Sequence, residues 1–332
     1  MGETKRRHHT VPNFYLKGFA SARTKPQIGA VDVRSGKRIV MSTADATVQK
    51  DFYTLEGHPD GDDVFEDILA DLEGTTAAVF KKIVSDGIWP LASEDRDILA
   101  TFLVFQLLRG QDARTSLDQM HGTLMSALVT QLGEDGVRND LVKSGKEVSD
   151  AAVKALVQQA TQPEGLEVRI TPLAHIEKIL DMVPSLIRYF VGRPWILVRF
   201  TRKKLLTCDT PISLISDQES TDFYQGVGLS NAWGISIPLT REIGLLLGNP
   251  EPVWEEEQAA GRRTKAQTAE RVARGGYDHE QVGSTKMAQL FNVHSLSNAR
   301  SWVFHHPDDA ALVSDDLGTS RDRETAFGVI TG

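Results

Sequence analysis

Apolar residues recur at helical spacing through the first half of the chain. In residues 62–86 they fall on one face of a helix, and the acids at its start suit the positive end of the helix dipole. Residues 95–109 are apolar almost all round from Ile98 onward, which predicts a helix at the centre of a bundle, with Ser93 as its N-cap. Further helices are predicted over residues 111–132, 148–161 and 172–191, with a polar loop over residues 133–146.

Strand-like spacing appears before and after this helical region. Two strand-like runs within residues 28–41 flank Arg34-Ser35-Gly36, a pattern that predicts a hairpin. The pattern of residues 52–55 predicts a further short strand. After Gly192 we expect two antiparallel strand pairs, formed by residues 195–200 with 205–208 and by residues 235–237 with 243–247.

The last third of the chain is less regular. Residues 255–276 are charged and weakly periodic, which predicts a mobile connection, and residues 281–304 predict a helix. The fold class is therefore expected to be α+β, with a helical bundle in the N-terminal half packed against an antiparallel β-sheet in the C-terminal half. The predicted segments are an N-terminal part with the hairpin, the bundle, the sheet with its helix, and a tail: 1–61, 62–191, 192–306 and 307–332. The second and third are expected to form one compact unit.

Composition narrows the class of protein. The 332 residues are 40% apolar and 25% charged, as in globular domains. No apolar run approaches the roughly 20 residues of a membrane span, and the basic start lacks a signal-peptide core, so we expect a cytoplasmic protein without a membrane partner. The only cysteine, Cys208, excludes an internal disulfide and a cysteine zinc site, and its strand-like setting favours a buried apolar role.

Charge is uneven along the chain. The net charge of −8 argues against a surface covered in phosphate contacts. Residues 5–7, 199–204 and 262–274 are nevertheless basic, so a local surface for an anionic substrate or nucleic acid remains open.

Three polar residues stand out on the predicted helices. Glu73 lies seven residues after Glu66 on the border of the apolar stripe, where a carboxylate can act as a metal ligand or general base, or can line a solvated edge. Gln106 and Arg109 end the most apolar helix. A buried arginine there would be paired, either in a structural contact with a carboxylate such as Glu73 or as a clamp on an anionic ligand.

Two further candidates lie outside the helices. His8 and His9 are neighbours in an extended segment, so their side chains point in opposite directions and at most one is expected to enter a site. Asp209 ends a strand, where an aspartate can cap backbone amides or carry catalytic chemistry, and the capping role is favoured. Phosphate-loop, nucleophile-elbow and His-Glu-x-x-His motifs are absent from the sequence, which disfavours ATP-driven and serine-hydrolase chemistry.

Taken in order, these features resemble the bacterial and fungal domain-of-unknown-function 4238 family. The matching pieces are His9-Thr10-Val11-Pro12 with Tyr15-Leu16 and Phe19, Asp51-Phe52-Tyr53, Glu73, Gln106-Leu107-Leu108-Arg109, Thr207-Cys208-Asp209-Thr210-Pro211, Ile237-Pro238-Leu239-Thr240 and Asn298-Ala299-Arg300. Cys-Asp-Thr-Pro stands where Ser-Asp-Asn-Pro is more usual. The resemblance brings no activity, but it implies that His9, Glu73, Arg109 and Asp209 belong together.

These residue types define the functional hypotheses. A metal-assisted, nuclease-like hydrolase would bind a divalent metal ion through His9, Glu73 and Asp209, while Gln106 and Arg109 complete the catalytic set and the arginine holds a phosphate or carboxylate. The alternative is a non-catalytic ligand- or partner-binding module in which the same residues form a structural network. A third hypothesis is a regulatory protein whose contact surface is the basic segment 262–274.

Overall fold

The computed structural model describes residues 7–22, 24–50, 52, 61, 64–217 and 227–314. They form two compact units: unit 1 runs up to Gly110 and resumes at Ile176, and unit 2 is Gln111–His175. The predicted helical segment 62–191 therefore contributes residues to both units.

The helices largely follow the apolar periodicity. In chain order they are α1 (Asn13–Leu16), α2 (Val64–Val84), α3 (Ser93–Leu108), α4 (Gln111–Lys143), α5 (Asp150–Ala160), α6 (Pro172–Leu186), α7 (Arg188–Val191), α8 (Glu251–Ala259), α9 (Lys265–Ala273) and α10 (Thr285–Asn298), with 3-10 helices at Lys17–Phe19 and Pro307–Leu312. Ser93 is the first residue of α3 and Ala92 is its N-cap, so the predicted cap was wrong by one position.

The strands of unit 1 build three sheets among the described residues. They are β1 (Arg7–His9), β2 (Gln27–Asp32), β3 (Arg38–Ser42), β4 (Val48–Lys50), β5 (Trp195–Arg199), β6 (Thr207–Cys208), β7 (Ser213–Ile215), β8 (Gly234–Thr240), β9 (Ile243–Leu247), β10 (His279–Val282) and β11 (Trp302–His305). The sheet orders are β1-β4, β10-β5-β9-β8-β7 and β3-β2-β11-β6. The α+β class is confirmed.

Strand pairing differs from the prediction in two respects. The β2–β3 hairpin and the β8–β9 pair are confirmed. However, β5 and β6 do not pair, because β5 joins β9 in the five-stranded sheet while β6 joins β11 in the four-stranded sheet. The C-terminal region is also not purely antiparallel, since β10 runs parallel to β5. Distant segments thus share sheets that local patterns did not reveal.

Three segments have a secondary structure that differs from the prediction: two were expected to be irregular and one to be a single helix. Residues 133–146 are not a loop, since α4 continues to Lys143 through a non-helical Gly133 (φ 64°). Residues 255–276 are not a mobile connection but hold α8 and α9, whose start has a Thr264–Gln267 capping box. Residues 281–304 are strand, helix and strand rather than one helix. The tail also begins with a 3-10 helix, and Val313 after it is 2% exposed.

The N-terminal segment is part of the core of unit 1. Val11, Leu16 and Phe19 are fully buried. Phe14 packs edge-on against Phe80 of α2 with ring centroids 5.2 Å apart, and it also contacts Phe102 of α3. The opening segment, its aromatic residues and the α2–α3 pair therefore share one hydrophobic interior.

Unit 2 has a small separate core. Buried Val129 and Val137 of α4 pack with Val153 and Ala160 of α5. Among the described residues no helix is long and apolar enough to span a membrane. The predicted strand 52–55 and the basic residues 5–7 fall mostly outside the described residues.

Candidate functional site

Three of the five predicted site residues meet at the end of α3. Arg109 is the C-cap of that helix and is 1% exposed. Its Nη1 donates to Glu73 Oε1 at 2.7 Å, across the α2–α3 contact. Its Nε and Nη2 donate to Gln106 Oε1 at 3.0 and 2.6 Å. The expected packing of α2 on α3, with Glu73 facing Gln106 and Arg109, is confirmed.

Gln106 connects this network to the N-terminal segment. Its Nε2 donates to the backbone carbonyl of Thr10 at 2.9 Å, while its Oε1 receives Arg109. The buried amide therefore satisfies both of its polar ends within the protein. Glu73, Arg109, Gln106 and Thr10 form one continuous chain of contacts, which we call the Arg109 network.

Thr47 completes the anchorage of the N-terminal segment and was not foreseen. It has a left-handed backbone (φ 61°), which is unusual for a β-branched residue. Its hydroxyl donates to Val11 O at 2.9 Å and accepts from Val11 N at 3.3 Å, and its carbonyl accepts from Thr10 N at 3.1 Å. The strained conformation is held by this set of contacts. A positive φ at threonine has no signature in the sequence.

Glu73 is the member of the network that reaches solvent. Its side chain is 26% exposed, whereas that of Arg109 is 1% exposed. A carboxylate that binds a buried arginine and is partly exposed could act as a general base or a metal ligand. The arginine, in contrast, is enclosed.

His9 lies in β1 opposite Val48, and its side chain is half-buried. Its Nε2 is 3.2 Å from the carbonyl of Ala44. The neighbouring His8 is fully buried. The two imidazoles therefore differ in burial, as expected for adjacent residues of a strand: His8 is enclosed, whereas His9 is partly exposed.

The side chain of Asp209 caps the backbone amides at the start of β11. Its carboxylate accepts from the backbone amides of Arg300, Ser301 and Trp302 at 2.9, 2.8 and 3.2 Å. This is the capping role that the sequence favoured. Among the described residues, no three His, Cys, Asp or Glu side chains are grouped so as to hold a metal ion. The structure therefore does not assemble His9, Glu73 and Asp209 into the predicted metal-binding group.

A second buried arginine escaped sequence analysis. Arg96 and Asp278 are fully enclosed and form an ion pair at 2.7 Å. The guanidinium also donates to the carbonyls of Val191, Ala273 and Arg193 and lies 4.2 Å from the ring centroid of Trp195. Arg96 sits in the charged run Ser-Glu-Asp-Arg-Asp, which is typical of an exposed first turn, and its partner is far away in sequence.

A serine–histidine pair also appears where none was predicted. Ser236 Oγ lies 2.7 Å from His294 Nδ1, and burial lowers the pKa of this histidine. Ser236 is 2% exposed, so a substrate has no direct access to its hydroxyl. We interpret the contact as a hydrogen bond between β8 and α10.

A polar pocket of about 310 Å³ lies where β2 and β11 separate. Its lining is formed by Ser21, Ala22, Gln27, His306, Pro307 and Asp308. Its volume is at the lower end of the range for small-ligand sites, roughly 300–1,000 Å³. The lining presents hydroxyl, amide, imidazole and carboxylate groups but includes none of the predicted site residues.

Three arginines of the basic segment 262–274 form ion pairs with neighbouring acids. Arg263 donates to the buried Glu257, and Arg262 pairs with Glu256 and Glu257. Arg274 pairs with Glu270. Lys265 and Arg271 lie over the rings of Trp254 and Tyr277 respectively. Carboxylates therefore offset the charge of three arginines, whereas Lys265 and Arg271 keep their positive charge.

Comparison with known proteins confirms the family resemblance. The model of the family described as "Protein of unknown function (DUF4238)" matches residues 7–309, nearly the whole chain. No curated protein and no solved structure matches the chain.

Proposed function

The chain belongs to the DUF4238 family, described as proteins of unknown function, and we propose that it is a binding module in which the Arg109 network is structural. The observation that carries this proposal is the enclosure of Arg109, which is 1% exposed.

A clamp for an anionic ligand needs donors that the ligand can reach. The donors of Arg109 point to Glu73 and Gln106, both within the protein. An incoming phosphate or carboxylate would have to displace Glu73 and would leave that carboxylate beside a second anion, which is unfavourable in a partly buried site. The network is better suited to holding the N-terminal segment on α3 through Thr10. The polar pocket at Ser21, Gln27, His306 and Asp308 offers such a module a place for a small polar ligand.

Metal-assisted hydrolysis of a phosphate-bearing or other anionic substrate is the second candidate. It is favoured by one observation, the 26% exposure of the Glu73 side chain. In this hypothesis the exposed side of the carboxylate would act as a metal ligand or as a general base on water. Arg109 would then orient Glu73 rather than bind the substrate.

The substitution Glu73→Gln separates the two candidates, because it preserves shape but removes the charge opposite Arg109. The binding module predicts a loss of about 3 kcal/mol in the free energy of unfolding, at the low end of the range for a broken buried pair because Glu73 reaches solvent. The hydrolase predicts abolished binding of Mg²⁺, Mn²⁺ or Zn²⁺ in addition to a loss of stability, because the Arg109 ion pair is broken in both cases.

Thermal and urea unfolding beside calorimetric titration with each metal provide the measurements. Asp71→Asn is the matched control, since Asp71 is an exposed acid on the same helix. A destabilised variant with the metal titration of the wild type would exclude the hydrolase. A variant as stable as the control that has lost metal binding would contradict the binding module.

A further inference from the structure

The middle of α4 (Gln111–Lys143) is an uncharged stretch of helix with an exposed side. Residues 119–133 contain no Asp, Glu, Lys or Arg, and His121 is their only titratable residue. A solvent-facing helix normally carries charged residues on its outer face. The lack of charge over four turns is typical of the centre of a protein interface.

Large apolar side chains are exposed on this helix. Leu124, Met125, Leu128 and Leu132 are 61%, 42%, 46% and 38% exposed. The three leucines are spaced four residues apart, so they form one row along the helix, and Met125 lies beside it. We call these four residues the α4 apolar face.

The opposite side of α4 is fixed, so the helix cannot turn this face inward. Ser126 Oγ accepts from Leu166 N at 2.7 Å, and Asp118 Oδ1 accepts from Ile170 N at 2.9 Å. A Cβ on Gly122 would lie 2.5 Å from Leu166 O, so the glycine permits this close approach. Val129, on the same inner side, is buried in the core of unit 2.

We propose that the α4 apolar face is the docking site for a second copy of this chain. A two-fold interface brings the same patch together from both subunits, so the patch must be complementary to itself. A row without charge meets its copy without like-charge repulsion. In an antiparallel arrangement centred on Leu128, Leu124 of each copy lies opposite Leu132 of the other.

The absence of basic residues beside the face argues against the main alternative, a lipid surface. Helices that bind anionic membranes carry lysine or arginine beside the apolar face. Here no lysine or arginine lies between Arg114 and Arg138. A single helix pair buries less area than the roughly 1,600 Å² of a standard interface, so the dimer should be weak and should depend on concentration in the micromolar range.

Sedimentation equilibrium of the full-length protein over a concentration series tests the proposal. The wild type should pass from monomer to dimer, and Leu128→Glu should weaken dimerisation by more than about tenfold, because two carboxylates would meet at the two-fold axis. Val142→Glu is the matched control, since Val142 is 67% exposed on the same helix but outside the face. Circular dichroism should show that both variants are folded.

Two further measurements keep the outcome unambiguous. Leu128→Cys should form a cross-linked dimer under mild oxidation, whereas the wild type should not, because its only cysteine, Cys208, is buried. Co-sedimentation with phosphatidylglycerol vesicles should show no binding. A wild type that stays monomeric at all concentrations, or vesicle binding that Leu128→Glu abolishes, would overturn the proposal.

Discussion

Among single residues, the enclosed arginines join elements of unit 1 that are far apart in the sequence. Arg96 joins α3 to Asp278 and to the carbonyls of Val191 and Ala273, with no exposed atom on either partner of the ion pair. Removing one member of such a pair leaves the other charge buried and uncompensated. Exposed pairs such as Arg169 with Glu167 contribute far less, because solvent screens them.

The substitution Arg96→Met should therefore lower the free energy of unfolding by about 3–5 kcal/mol. Adding Asp278→Asn should recover part of that loss, since the double variant has no unpaired charge left at this buried position. Urea denaturation of the single and double variants measures both effects. Arg202→Met, at an exposed arginine, is the control and should be close to the wild type. An effect of Arg96→Met no larger than that of the control would show that the ion pair is dispensable.

Residue-level prediction succeeded where two helices faced each other. Glu73, Gln106 and Arg109 could be placed together because helical spacing fixes the face of each side chain and the apolar stripes indicate which faces meet. Asp209 was open to two roles, and its three amide partners lie some ninety positions later in the chain. Arg96 was missed since its local sequence is that of a solvated turn. Its burial depends on residues that are adjacent only in the fold.

Among the elements, the N-terminal segment is short but deeply packed. The hydroxyl of Tyr15 donates to Pro238 O and lies 2.8 Å from Thr207 Oγ1. Burial raises the pKa of this tyrosine, so its side chain stays neutral. Together with Leu16 and Phe19 it ties the segment to the β-rich part of unit 1. A segment of this kind acts as a structural element rather than a tail.

Deleting residues 1–19 should abolish cooperative unfolding, because it exposes the surfaces of α2, α3 and β8 that these side chains cover. Deleting residues 1–6 should leave the melting temperature close to that of the intact chain, since β1 begins only at Arg7. Calorimetric melts of the two truncated proteins make the comparison. If both truncations melt like the intact chain, the segment does not belong to the core.

Secondary-structure elements were predicted wrongly where charged residues or a glycine interrupted the apolar pattern of a helix. The polar stretch after Gly133 is helical, because the chain returns to helical geometry after a kink at this glycine of positive φ. Helices α8 and α9 contain few large apolar residues, but they are held by the Glu257 ion pairs and by a capping box. β6 and β11 are too short for their pairing to be read locally. Pairing between distant strands depends on long-range packing, which local patterns do not encode.

For the molecule as a whole, the two compact units differ in the size of their hydrophobic cores. Unit 1 buries a continuous cluster that runs from Val11 to Phe304. The core of unit 2 is centred on Val129, Val137, Val153 and Ala160, with a few half-buried side chains around it. Since burial of apolar surface is the main source of folding free energy, unit 2 should open locally at a lower free energy than unit 1.

Native-state hydrogen exchange should detect this difference. Amides of α5 in unit 2 should exchange faster than those of β8 in unit 1, by a factor of at least about a hundred, which corresponds to roughly 3 kcal/mol. Helix α5 is the appropriate reporter, because dimerisation through the α4 apolar face would protect α4 itself. Repeating the measurement with Leu128→Glu removes that protection and should make α4 exchange as fast as α5. Equal protection of α5 and β8 in both proteins would mean that the two units unfold as one cooperative body.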